Sequence, residues 1–236
     1  MTEAKVSEGM VPEVTIQELF TAQGADYSRR APRQEMVDLN LRLLAEAKRL
    51  IRPAVIWQEV QVIGVGEEEL YLENAPTLRG RLLPRVLGSA DSVILFAMTI
   101  GGLLDQLIKE YMDRSQTLEA FILDSAGSAV MAKSATLMMR EIEGLYKAKH
   151  LKTTFSLGPG HSYWKGLEDV RSIINFLKGE RIGISLTSSN LMLPKKSLAM
   201  VMGIGNNLPD FRGKTHCDFC HLQGNCTMKN LDVNNC

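Results

Sequence analysis

Three stretches of the chain carry residue types that can do chemistry. The first is Leu157-Gly158-Pro159-Gly160-His161-Ser162-Tyr163-Trp164. Its glycines open backbone conformations closed to other residues and let a ligand approach the main chain. His161, Tyr163 and Trp164 add polar tips and flat faces. Such faces suit an adenine ring or a sulfonium cation, through stacking and cation–π attraction. The same residues equally make a tight turn whose aromatics close the core. The second stretch is 185–197, where Thr187, Ser188 and Ser189 precede the turn Pro194-Lys195-Lys196-Ser197. These hydroxyls either bind a carboxylate or phosphate or satisfy turn backbone. The third is the end of the chain, where all four cysteines, Cys217, Cys220, Cys226 and Cys236, fall within twenty residues. Cys217-x-x-Cys220 brings two sulfurs to one centre. Cys226 and Cys236 complete a four-thiolate set for zinc or an iron–sulfur cluster, with His216 or His221 as substitutes. The spacing matches no ferredoxin pattern. Cys217 to His221 also spells a c-type haem attachment sequence, and reduced thiols or an adventitious disulfide are the bland alternative.

Other chemistries find no footing. No catalytic triad is legible, and the histidines at 150, 161, 216 and 221 supply few general bases. A phosphate-binding Gly-x-x-x-x-Gly-Lys-Ser loop is absent, and Gly203-x-Gly205 lacks the third glycine and following helix of a dinucleotide fingerprint. Asp105, Asp124 and Asp169 lie near the stretches above, but nothing in their spacing singles them out.

The elements that must position these stretches are predicted from periodicity and punctuation. Thr15 caps a short helix at 16–20 that Gly24 stops. An amphipathic helix fills 34–52, with Leu39, Leu43, Ala47 and Leu50 on one face and Pro53 after it. Residues 28–32 form a basic link. Strands at 55–65 and 69–72 form a hairpin, and 78–87 is a short helix weakened by Pro84. The apolar run 92–98 is a strand, followed by a helix at 103–112. The longest helix spans 117–150, with an Ala/Gly/Ser-rich middle at 124–133 that lets another element come close. A short strand at 153–156, a helix at 167–177 striped by Val170, Ile173, Ile174 and Leu177, and strands at 182–186 and 198–204 complete the set. Helices and strands do not alternate regularly, which favours α+β over a doubly wound sheet.

Bulk properties narrow the class. The chain has 236 residues, 45% of them hydrophobic, enough for a sizeable core. Lysine plus arginine equals aspartate plus glutamate at 27 each, which argues against nucleic acid as a partner. No apolar run is long enough to cross a membrane, and the first eleven residues lack the apolar region of a signal peptide. A cytoplasmic protein is expected, with a disordered tail at 1–12, an α+β domain at 13–206 and a cysteine-rich tail at 207–236.

The ordered motifs of the second half resemble the activation (reactivation) domain of cobalamin-dependent methionine synthase. There, Arg-x-x-Pro-Gly-Tyr precedes an amphipathic helix, followed by Leu-Thr-Glu-Ser, Met-x-Pro and a Ser-Val-Ser strand. Here the order reads Gly158-Pro159-Gly160-His161, the helix 167–177, Leu186-Thr187-Ser188-Ser189, Met192-x-Pro194 and Ser197-Leu198-Ala199. The segment 95–105 and the trailing Cys-x-x-Cys look like the stand-alone members of that family. The likeness covers about 15–226.

The resemblance implies helices packed on a mostly antiparallel sheet and an accessory role. Such a domain binds S-adenosylmethionine and presents its methyl group to the cobalamin of a corrinoid protein or cobalamin-dependent methyltransferase. A flavodoxin or ferredoxin gives the electron, so that inert cob(II)alamin is reductively methylated in support of methionine biosynthesis. It implies Gly158 to Trp164 and Thr187 to Ser189 as the binding residues. It also implies departures: Ser156 stands at the arginine position, His161 at the tyrosine and Ser188 at the glutamate. Lys152 or Lys195 is available to replace the lost charge. The modules for cobalamin, homocysteine and folate are expected to lie on other chains, so this one is not a complete methionine synthase. A module that docks on a corrinoid protein without S-adenosylmethionine is the alternative.

Overall fold

The computed structural model describes residues 3–25, 27, 31–164, 166–211 and 214–221. Its centre is strand β5 (Ser92–Thr99), in which all eight side chains are buried. An uninterrupted apolar run of this kind needs cover on both faces. Ile94, Phe96 and Met98 point to one core, and Val93, Leu95 and Ala97 to the other. On β5's flanks lie β2 (Ala54–Val65) and β9 (Ser197–Gly205), both antiparallel to it. The sheet runs β4 (Leu78–Arg79), β3 (Glu69–Leu72), β2, β5, β9, β6 (Lys152–Thr153), and β1 (Lys5–Glu8) pairs with the first half of β2. The result is the expected α+β class: helices packed on an antiparallel sheet.

Helices α1 (Ile16–Ala22), α2 (Gln34–Leu50), α4 (Leu103–Asp113) and α5 (Thr117–Lys147) cover one face. Helices α3 (Leu83–Leu87) and α6 (Glu168–Leu177) cover the other. Thr15 and Glu18 form a reciprocal capping box at α1, and the Glu18 carboxylate also takes Lys133 of α5 at 2.7 Å. The small-residue middle of α5 is a packing device. A Cβ on Gly127 would lie 2.7 Å from Leu104 of α4 and 3.2 Å from Lys196. Lys196 in turn bonds Asp124 and Ser128 of α5, each at 2.9 Å.

Three local expectations differ from the fold. Residues 5–8, placed in a disordered tail, pair in register with β2, Lys5 opposite Trp57. The helix at 78–87 is shorter, because Leu78–Arg79 pairs with β3 and Pro84 is accommodated in the first turn of α3. The strand at 182–186 is cut by Gly183 at φ +76°, leaving a 3₁₀ turn (Gly179–Ile182) and the short strand β7 (Ser185–Leu186). β7 pairs with β8 (Met192–Leu193) in a separate hairpin. The basic link at 28–32 falls mostly outside the described residues. Among the described residues, no helix is long and apolar enough to cross a membrane.

One buried contact ties the loop before α6 to the sheet. The Trp164 indole, 1% exposed, donates to Asp169 at 2.9 Å, and the Arg79 backbone N–H donates to the same oxygen at 2.8 Å. A Cβ on Gly80 would press the indole at 2.9 Å, so glycine is required beneath it. Replacing Asp169 with alanine orphans both donors and should cost about 1–3 kcal/mol for each. Urea denaturation of Asp169→Ala checks this; an unchanged midpoint would show that the contact does not hold the loop.

Candidate functional site

The site grows from the outer edge of β9. After β6 the chain stays extended along that edge. The Thr154 N–H donates to the Gly203 carbonyl and the Thr154 hydroxyl accepts from the Gly203 N–H, each at 2.9 Å. Leu157 and Val201 exchange both backbone bonds at 2.8 Å. At Gly158 the backbone passes so close to β9 that a Cβ would sit 3.2 Å from the Ala199 carbonyl. Pro159 and Gly160 then reverse the chain. Gly160 adopts φ +90°, its N–H donates to the Trp164 carbonyl at 2.9 Å, and the Trp164 N–H donates to the His161 carbonyl at 2.8 Å. Glycine reaches that conformation without the steric cost a side chain would add.

This geometry sorts the loop. Tyr163 and Trp164 turn into the core on the α6 side. The Tyr163 hydroxyl accepts from the Gly158 N–H at 3.4 Å. His161 remains at the surface, its ring parallel to Tyr163 at 5.2 Å and tilted against His216 at 5.8 Å between centroids.

Residues 208–211 and 214–221 fold back over this edge. Phe219 stacks on Phe155 at 5.6 Å, Phe211 meets Phe155 edge-on at 5.3 Å, and the Arg85 guanidinium sits 5.5 Å above Phe219. Thr215 and Asp218 form a capping box on the 3₁₀ turn His216–Phe219. The His221 N–H donates to the Ser162 hydroxyl at 3.1 Å, seating the Cys217-x-x-Cys220 turn on the Pro-Gly loop. Burial raises the pKa of Tyr163; the bond from Gly158 opposes the rise, while Cys217 and Cys220, both within electrostatic reach, add to it. Among the described residues no three His, Cys, Asp or Glu side chains gather as metal ligands. Cys226 and Cys236 lie outside the described residues.

Two adjoining cavities result. The larger, about 770 Å³, lies between α5, β6 with the extended residues 154–156 that follow it, and the folded-back segment; the strand expected at 153–156 is confined to β6. Thr136, Met139, Arg140 and Glu143 of α5 line it at the i, i+3, i+4, i+7 spacing of one helix face. Phe155, Ser156 and Lys152 form the opposite wall, and Phe211, Lys214 and His216 the lid. Arg140, Lys152 and Lys214 form no salt bridge among the described residues. Burial raises the pKa of Glu143, and Arg140 partly offsets this. The smaller cavity, about 300 Å³, is mainly apolar and includes Ala135, Pro159, His161, Met192 and Met200. Met139 and His216 line both.

Of the binding residues singled out from sequence at 158–164 and 187–189, Pro159 and His161 reach the smaller cavity. Gly158 and Gly160 shape the turn, Ser162 anchors His221, and Tyr163 and Trp164 are packed inside. Thr187, Ser188 and Ser189 line neither cavity. They form the β7–β8 turn, where the Thr187 hydroxyl accepts from the Leu191 N–H at 3.0 Å and Arg171 of α6 holds the Thr187 carbonyl at 3.1 Å. Ser156, at the resemblance's arginine position, is 2% exposed and directs its hydroxyl at the Met139 sulfur, 2.8 Å away. Lys152 faces the larger cavity. Lys195 does not, and its backbone N–H is bound by Asp105 at 2.7 Å. Arg140, Phe155, Phe211 and Lys214 were not legible as site residues: they are ordinary helix, strand and tail positions until the chain folds back.

Burial lowers the pKa of both His161 and His216; mutual repulsion adds to the first, and Asp218 opposes the second. The folded chain therefore holds both imidazoles neutral, and the unfolded chain binds protons first. Stability is full above about pH 6.5 and falls as the pH drops below that value towards the lowered pKa values. A proton NMR titration should give imidazole midpoints below 6.5, with a lower denaturation midpoint at pH 5.5 than at 7.5. Midpoints at or above 6.5 would contradict the packing described.

Among solved structures, the chain superposes on the MetH reactivation domain bound to AdoHcy. The TM-score is 0.63 at 12% identity, over 88% of this chain and 80% of that one. No protein-family model and no curated protein matches the sequence. At that identity the likeness assigns the fold: this chain folds as the MetH reactivation domain does.

Proposed function

We propose that this chain is an S-adenosylmethionine-binding accessory domain that supports reductive methylation of cob(II)alamin on a separate corrinoid methyltransferase. The observation that carries the reading is the mixed-charge, aromatic-walled cavity of about 770 Å³, on a fold shared with an AdoHcy-bound domain. Ligand pockets for molecules of this size span roughly 300–1,000 Å³. The residues present fit the parts of the ligand. Phe211 and Phe155 offer surfaces for adenine. Glu143 suits the ammonium or sulfonium, and a bound cation there favours its ionised form. Arg140, Lys152 and Lys214 suit the carboxylate.

When bound, S-adenosylmethionine supplies an electrophilic methyl group. The chain's own residues then position and exclude water rather than transfer protons, which agrees with the absence of a legible acid–base pair. The smaller, mainly apolar cavity shares Met139 and His216 with the larger one and would take the methyl end of the ligand. A flavodoxin or ferredoxin acts as electron donor. The Cys217-x-x-Cys220 turn, seated on the same loop, would supply two thiolates to a zinc or iron–sulfur site, and the remaining ligands would have to come from Cys226 and Cys236, which lie outside the described residues.

A second reading has one specific observation in its favour. Position 156 is a buried serine already bonded to Met139, which suits a module that docks on a corrinoid protein without S-adenosylmethionine. Calorimetry separates the two readings. Titration of anaerobically prepared protein with S-adenosylmethionine and with S-adenosylhomocysteine should give saturable binding. Phe211→Leu, folded by circular dichroism, should weaken it by the ~1–3 kcal/mol of one aromatic stack. No heat with either nucleoside on folded protein would overturn the first reading and favour the second.

A further inference from the structure

Charged side chains of both signs line the larger cavity, and the cations outnumber the carboxylates. Arg140 on α5, Lys152 on β6 and Lys214 on the folded-back segment all line it, and none forms a salt bridge among the described residues. Those three cations outnumber Glu143 and Asp210, the two carboxylates that line the same cavity, which leaves a local excess of positive charge in a chain whose totals are equal. An anionic group is the complement of such a surface. Within S-adenosylmethionine, the only anionic group is the carboxylate of its amino-acid end.

Resting on the S-adenosylmethionine reading above, we propose that Arg140 is the carboxylate anchor, with Lys152 across the cavity. Selectivity for the amino-acid end is thereby set from helix α5 and not from the Pro-Gly loop. Three features single out Arg140. Its guanidinium presents a planar fork that pairs with both oxygens of a carboxylate, which an ammonium does not. It shares one helix face with Thr136, Met139 and Glu143, so a rigid element sets its direction. The opposite wall cannot supply the charge at position 156, because Ser156 is sealed against Met139, the residue adjacent to Arg140 on α5. Glu143, three residues along α5, stands where the ligand's ammonium can balance it. The amino-acid end thus meets opposite charges one helical turn apart.

The test compares S-adenosylmethionine with its decarboxylated analogue, which keeps the adenosine, sulfonium and amine and lacks only the carboxylate. Wild-type protein should bind S-adenosylmethionine about tenfold to a hundredfold more tightly than the analogue, the span of a charge-assisted hydrogen bond. Arg140→Gln should erase most of that preference while leaving the analogue's affinity within about twofold. Lys152→Gln should reduce the preference less. Both side chains are at the surface, and thermal melting confirms that the variants fold. If Arg140→Gln weakens both ligands equally, or neither, the anchor assignment is overturned while S-adenosylmethionine binding stands. If wild-type protein binds neither ligand, the S-adenosylmethionine reading falls and the anchor with it.

Discussion

All eight side chains of β5 are out of water, and a strand buried on both faces can exist only inside a sandwich of other elements. Its Ile94, Phe96 and Met98 need the helices α1, α2, α4 and α5; its Val93, Leu95 and Ala97 need α3 and α6. Removing the apolar area of either face from water is worth roughly 25 cal/mol per Å². That drive sets which helices go where. With β2 and β9 antiparallel on its two sides, β5 also fixes the direction of β9, whose outer edge is where the candidate site is built.

The site then depends on how that outer edge is closed. An open strand edge leaves unsatisfied backbone groups. Here residues 152–157 satisfy part of it, after which Gly158, Pro159 and Gly160 turn the chain away. The folded-back segment is held by the rings of Phe155, Phe211 and Phe219 rather than by a ladder of backbone bonds. Aromatic clasps of this kind bury area without demanding strand register. The space between the clasp and α5 can therefore stay open as a cavity instead of filling as core. α5 spans both roles: its Ala/Gly/Ser-rich middle packs tightly against α4, and further along Arg140 and Glu143 face the opening.

The three aspartates that could not be told apart by spacing turn out to be fasteners. Asp169 holds Trp164 and Arg79, Asp124 holds Lys196, and Asp105 holds the Lys195 backbone. All three grip the loops that flank the smaller cavity. These three carboxylates serve geometry, each fixing a loop or side chain against a neighbouring element.

Several features were determined by sequence alone. Local periodicity and punctuation specify helices α2, α4, α5 and α6 and strands β2, β3, β5 and β9 within a few residues, because each carries its own 3.6- or 2-residue pattern or an apolar run bounded by turn residues. The order of Pro-Gly loop, amphipathic helix, turn and Met-x-Pro was enough to indicate the fold through resemblance. The tertiary structure decided what those motifs touch. Tyr163 and Trp164 read equally well as ligand faces or core closures, since an aromatic residue beside a glycine turn has the same local pattern in either role; the Asp169 acceptor and the close approach of Gly80 settle the burial of Trp164, and packing against the α6-side core settles that of Tyr163. Thr187 to Ser189 likewise became a hairpin turn. The charges and rings that line the cavity come from α5, β6 and the residues after 207, elements with no local signal in common. They meet because β9 must be covered on its outer edge, and long-range pairing of that kind leaves no trace in sequence spacing.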